Sequence, residues 1–179
     1  MIALLLTAFS LQAQQRVNLK PNSQKYTVKG TSTLHDWHMT SEEAKGFITV
    51  EVSDNGTPRF VGSDVTLVAE SLKSGKKGMD KNAYKALNTD DYPNIQFKLN
   101  NCTMESATKG KATASLTIAG FSRDVTFDIE VESTGSAYTI KGSADFRLTD
   151  FKVDPPTALM GTIKTGDDVT IEFNATFQN

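Results

Sequence analysis

The chain has 179 residues, 38% of them hydrophobic and 22% charged, enough for one domain with its own core and too apolar for a disordered chain. Its net charge of −2 offers no basic field to a phosphate backbone, and no run of Lys or Arg alternates with aromatics, so nucleic acid is not an expected partner.

Residues 1–13, MIALLLTAFSLQA, are an apolar run followed by small and polar residues. That is the pattern of a secretory h-region and cleavage zone, here without the basic residues that normally precede it. The run is short of the roughly 18–20 apolar residues that span a membrane. The reading is an exported chain, periplasmic before secreted, with a signal remnant over 1–13, one domain over 14–179 and no transmembrane segment in the mature chain.

From Tyr26 onward the dominant signal is period-two alternation, which puts one set of side chains on one face of a strand. Strands are expected over 26–30, 33–39, 45–52, 59–68, 94–99 and 102–106, with a turn at Asp54-Asn55-Gly56. The stretch 33–39 holds both histidines and the only tryptophan. On a regular strand His35, Trp37 and Met39 face one way and Asp36 and His38 the other, so the two imidazoles cannot share a metal and no metal site is expected. His35 then either sets an imidazole beside a ligand's polar end, with Trp37 stacking nearby, or is a structural residue next to a core tryptophan.

After a loop bearing Gly75 and Gly78, the segment DKNAYKAL at 80–87 has strong helix formers with Ala83, Tyr84 and Leu87 at helical spacing. One short helix is therefore expected near residues 79–88, halted by Tyr92-Pro93, which forces extended chain. Cys102 is the only cysteine; it has no disulfide partner and no histidine close in sequence, and reads as an inert thiol.

The later strands alternate most cleanly. Ala112, Ala114, Leu116 and Ile118 interleave with Lys111, Thr113, Ser115 and Thr117, and Val125, Phe127, Ile129 and Val131 with Asp124, Thr126, Asp128 and Glu130. Ile140, Gly142, Ala144, Phe146 and Leu148 form the apolar row of a third strand running to Thr149. Val169, Ile171, Phe173, Ala175 and Phe177 form that of a fourth. Between these two, a short helical turn is expected after Pro155-Pro156. The whole is mainly β, an antiparallel sheet closed on itself with one helix, although a two-sheet sandwich would alternate in the same way.

The small inward residues Ala112, Ala114, Gly142, Ala144 and Ala175 either leave a cavity or fit a tapering core against bulky neighbours. In the first case the candidate ligand-binding residues are His35, Trp37, Met39, Phe97, Ala114, Leu116, Ile118, Phe127, Ile129, Ala144, Phe146, Leu148, Ile171 and Phe173, a hydrocarbon lining for an apolar ligand. No catalytic residue is expected: the chain has no G-x-S-x-G elbow, no Gly-rich phosphate loop and no histidine pair on one helical face. Asp80, Asp90, Asp91, Asp150 and Asp154 sit where capping or solvated roles are usual. The competing functions are a binding module, a filled interaction barrel and, third, an enzyme acting on a lipid headgroup through His35 and Asp36.

Several of these pieces occur in an order that resembles a known family. A strand with a central His is followed by Ser71-Leu72-Lys73-Ser74-Gly75, by Met79-Asp80 opening a helix that ends at Ala86-Leu87, and by Asp91-Tyr92-Pro93-Asn94-Ile95-Gln96-Phe97. Downstream come Ala114 to Val125 with Gly120 and Arg123 at the turn, Phe146-Arg147-Leu148-Thr149-Asp150-Phe151 before Pro155-Pro156, and Gly166 to Phe173 in the last strand. Over about 26–177 the chain resembles the YceI-like proteins, and Asp-Tyr-Pro-x-Ile-x-Phe is the most specific piece. The resemblance implies a lipocalin-like barrel in the periplasm or medium, sometimes dimeric, whose bound ligand is an isoprenoid lipid or quinone and which carries no catalytic cofactor. His35-Asp36-Trp37-His38 departs from it, being more polar and aromatic than the family's corresponding strand.

Overall fold

The computed structural model describes residues 14–53 and 57–179; the expected signal remnant and the Asp54-Asn55-Gly56 turn lie outside them. The strands are β1 (Gln14–Ser32), β2 (Trp37–Ser41), β3 (Ala44–Val52) and β4 (Pro58–Val68), then helix α1 (Lys77–Leu87). They continue with β5 (Asn94–Met104), β6 (Lys109–Ile118), β7 (Phe121–Thr134), β8 (Ala137–Arg147), the two-residue β9 (Thr157–Ala158) and β10 (Ile163–Phe177). Neighbours pair antiparallel from β3 through β8 to β10, and β10 pairs with β1. That pairing closes the sheet and excludes the sandwich. Because β2 and β3 lie end to end along β1, the segments form a closed eight-stranded barrel with one short helix, which leaves no long edge open to another chain.

Four expectations are corrected. First, β1 begins at Gln14 rather than near residue 26. Its early part carries only Val17 and Leu19 inward, and the register then slips between Leu19 and Gln24, where Asn22 takes φ 57°. Second, 33–39 is not one strand: Ser32 Oγ accepts the amides of Leu34 and His35, both at 3.2 Å, and donates to the His35 carbonyl at 2.7 Å, making a turn before β2. Third, 94–99 and 102–106 are parts of one strand, β5, bulged between Leu99 and Asn101 so that Leu99 and Cys102 both face inward. Fourth, the short helical turn is Leu148–Phe151, before the prolines. Asp150 accepts the Arg147 amide at 3.1 Å and holds its guanidinium at 3.0 Å, so β8 ends at Arg147 instead of reaching Thr149.

The interior is layered along the barrel axis. At one end Val17, Val50, Phe60, Tyr138 and Phe177 are buried, and Phe60 meets Tyr138 edge-on at 5.6 Å. Each such aromatic contributes roughly 1.5–3 kcal/mol by leaving water. Above this floor Phe97, Phe127 and Phe173 meet mutually edge-on at 5.5–6.4 Å, and Tyr26 stacks on Phe173 at 6.3 Å. Beyond the aromatic layer the interior is open, and α1 borders the opening.

Candidate functional site

The α1 end of the barrel holds a cavity of about 1010 Å³, at the upper end of the roughly 300–1,000 Å³ of small-molecule sites. Its walls are Val28 from β1, Trp37 and Met39 from β2, Leu72, Ile95 from β5, Ile118 from β6, Phe146 from β8, and Val169 and Ile171 from β10. All but Leu72, which follows the short turn at 69–71, are inward members of strand rows, so the sheet pleat that builds the barrel also makes the wall hydrocarbon. Val28, Leu72, Ile95 and Ile171 also line a second, narrower space of about 110 Å³ that runs down among the aromatic layer. The site is thus a wide upper chamber with a narrow apolar foot.

Helix α1 roofs the chamber with Met79, Ala83, Ala86 and Leu87, one face at three-to-four spacing. It begins three residues before the expected Asp80. The helix is fastened at both ends. Asp80 accepts the Ser74 amide at 2.8 Å and the Ser74 hydroxyl at 2.6 Å, and at the far end Asn88 takes the left-handed conformation, φ 50°. Thr89, buried, donates its hydroxyl to Glu70 at 2.8 Å. Tyr84 Oη accepts from Lys73 Nζ at 2.7 Å, which raises the lysine pKa, and donates to the carbonyl of Leu72 at 2.7 Å or of Glu70 at 2.9 Å.

The structure sorts the sequence-predicted residues by depth. His35, Trp37, Met39, Ile118, Phe146, Leu148 and Ile171 line the upper chamber. Phe97, Leu116, Phe127, Ile129 and Phe173 line the foot, together with Ile171. Ala114 and Ala144 are buried in the wall and line neither space. Gly142 leaves no volume: a β-carbon there would fall 2.3 Å from the Phe173 ring, which folds onto the glycine directly opposite it. Trp37 covers Gly30 in the same manner at 2.4 Å and donates its indole N–H to the Thr31 carbonyl at 2.8 Å. The tryptophan is therefore a fixed wall panel. His35 sits in the turn at the rim, exposed, with Nδ1 donating to the Asp36 carbonyl at 2.6 Å.

Sequence reasoning missed Val28, Met79, Leu87, Leu159, Met160, Ile163 and Val169, all at the chamber. Met79 and Leu87 were detectable as members of the α1 apolar face, and Val28 and Val169 as members of alternating rows. Leu159 and Met160 carry no periodic signal.

The interior is nearly free of polar groups. Tyr26 Oη is buried and makes no hydrogen bond, and burial pushes its phenol well above its ordinary pKa range. Cys102, facing the foot, is likewise raised by burial and so less reactive as a thiolate. Among the described residues no group of three His, Cys, Asp or Glu side chains could hold a metal ion, and no helix is long and apolar enough to cross a membrane.

The family model described as YceI-like domain matches residues 12–177. Among solved structures, the chain is similar to Burkholderia cenocepacia BcnA, with 17% identity and a TM-score of 0.72 over 88% of this chain and 98% of that one. It is similar to a polyisoprenoid binding domain from Saccharophagus degradans implicated in plant cell wall breakdown, with 10% identity and a TM-score of 0.64 over 90% and 97%. A Campylobacter jejuni YCEI protein aligns with 16% identity and a TM-score of 0.63 over 100% and 92%. No curated protein matches the sequence.

Proposed function

The chain belongs to the YceI-like domain family, and on that premise we propose that it binds a long apolar lipid, a polyisoprenoid or the tail of an isoprenoid quinone, in the chamber beneath α1. The observation that carries the reading is the cavity of about 1010 Å³ walled by Val, Ile, Leu, Met and aromatic side chains and continued by a narrow apolar foot. A wide chamber with a thin extension fits a folded chain better than a compact polar molecule. The Saccharophagus degradans neighbour, a polyisoprenoid binding domain, supports the same class of ligand.

The protein acts as a carrier or store in an exported, periplasmic setting and performs no chemistry on its cargo. His35, the imidazole that lines the chamber, gives Nδ1 to a backbone carbonyl rather than to the carboxylate that an acid–base pair would use. The test is native mass spectrometry of the protein purified from its own host without detergent, followed by extraction. The expected result is one prenyl lipid per chain; a consistently ligand-free mass, with no uptake of added octaprenol, overturns it.

A further inference from the structure

The rim of the chamber carries apolar side chains that nothing in the fold covers. Leu34 is 65% exposed, Leu159 72% and Met160 107%, and all three border the cavity mouth. They are not loosely held. Leu159, Met160 and Gly161 take consecutive left-handed conformations, φ 48°, 55° and 85°, which disfavours the two non-glycine residues. The loop is pinned by Gly161 N–H to the Ala158 carbonyl at 3.1 Å, Thr162 N–H to the Leu159 carbonyl at 3.2 Å and Thr165 N–H to the Pro156 carbonyl at 3.2 Å. Thr33 N–H and the Lys164 carbonyl, 2.9 Å apart, tie it to the Leu34 turn. A strained backbone that holds two large apolar side chains in water, beside a cavity that could have taken them, calls for a partner.

The charge beside this rim is lopsided. The charged side chains at the mouth itself are Lys76 and Lys81, with no carboxylate among the described residues that line it; Lys73, Lys77 and Lys85 stand exposed nearby, Asp80 is bonded to Ser74 and Glu70 to Thr89, and Asp90 and Asp91 lie past the far end of α1. This occurs in a chain of net charge −2. Asp36, Asp145, Asp150 and Asp168 gather instead on the outer wall beside Trp37, around Lys29 and Arg147. Apolar tips set next to a lysine-rich helix match an anionic bilayer, which offers hydrocarbon below a negative surface.

The geometry points to the cavity rim as a membrane-docking surface: Leu34, Leu159 and Met160 dip into an anionic phospholipid surface while the α1 lysines meet its headgroups. The chamber mouth then faces the bilayer, so an apolar ligand would pass between membrane and barrel without crossing water. The purpose rests on the lipid-binding reading, but the docking itself is measured separately.

The experiment is flotation of the full chain with vesicles of phosphatidylethanolamine containing phosphatidylglycerol, against vesicles of phosphatidylcholine alone. The wild type should float with the anionic vesicles and release at high salt. Lys76→Glu/Lys77→Glu/Lys81→Glu should weaken this by at least about a hundredfold, and Leu159→Ser/Met160→Ser should abolish it, while both variants melt at the wild-type temperature. A wild type that stays with the supernatant, or variants that float equally well, overturns the proposal; so does a rim that proves to be buried in a dimer by sedimentation. Flotation without any uptake of cyclodextrin-borne octaprenol would keep the docking surface and remove the lipid-site reading.

Discussion

Tyr26 places a hydroxyl without a hydrogen bond inside an apolar barrel, and such a group costs roughly 1–3 kcal/mol in lost hydration. Tyr26→Phe retains the ring that stacks on Phe173 and should raise stability to urea by about 1–2 kcal/mol at neutral pH. Because the folded-state pKa is raised, this group adds no pH-dependent loss of stability below the unfolded value, and the wild type loses stability as pH climbs above about 10, where the unfolded phenol ionises. The variant should lose less over that alkaline window; a less stable variant would mean that the hydroxyl has a bound partner. Which residues face inward was legible from alternation, but depth was not. Parity placed Phe97, Phe127 and Phe173 on the same footing as Ile118 and Phe146, whereas the first three form the packed layer and foot and the last two line the chamber. For Gly142 the choice between cavity and fitted core stayed open for a related reason: what fills the space above a glycine is its partner across the ladder, Phe173, and strand register is not written in periodicity.

At the level of elements, the strands with one wet face, β6, β7, β8 and β10, were readable because each of their alternating rows is long and unbroken. β1, the turn after Ser32 and the β5 bulge were not, since a side-chain-to-backbone bond or one extra residue interrupts the period without changing composition. Helix α1 was legible as a helix but not as a roof, because its apolar face is narrow and its partner is a cavity. Its attachment through Asp80 can be probed. Asp80→Ala removes both bonds to Ser74 and should cost about 1 kcal/mol, with faster hydrogen exchange across α1 and a shorter residence time for bound octaprenol. Exchange confined to its wild-type rate would show that the roof is held without Asp80, by its apolar packing and the Tyr84 and Thr89 bonds.

For the whole molecule, closure of eight strands settles why no long edge is left open among the described residues, and the gradient from a filled floor through an aromatic layer to an open chamber gives the barrel a direction. That gradient, with the rim residues Leu34, Leu159 and Met160 at its open end, arises from contacts between segments far apart in the chain, which is why the site as a unit could not be read from the sequence. If the chamber and its foot exist to hold a polyisoprenoid, affinity must follow the length of chain that they can cover. Calorimetric titration of the ligand-free protein with prenols of increasing length is the most direct measure. The account predicts that each added isoprene unit tightens binding by at least about tenfold, as buried CH₂ groups contribute about 0.8 kcal/mol apiece less the chain entropy lost, until the cavity is full and the gain stops. Affinity that is absent, or that does not change with length, would contradict it.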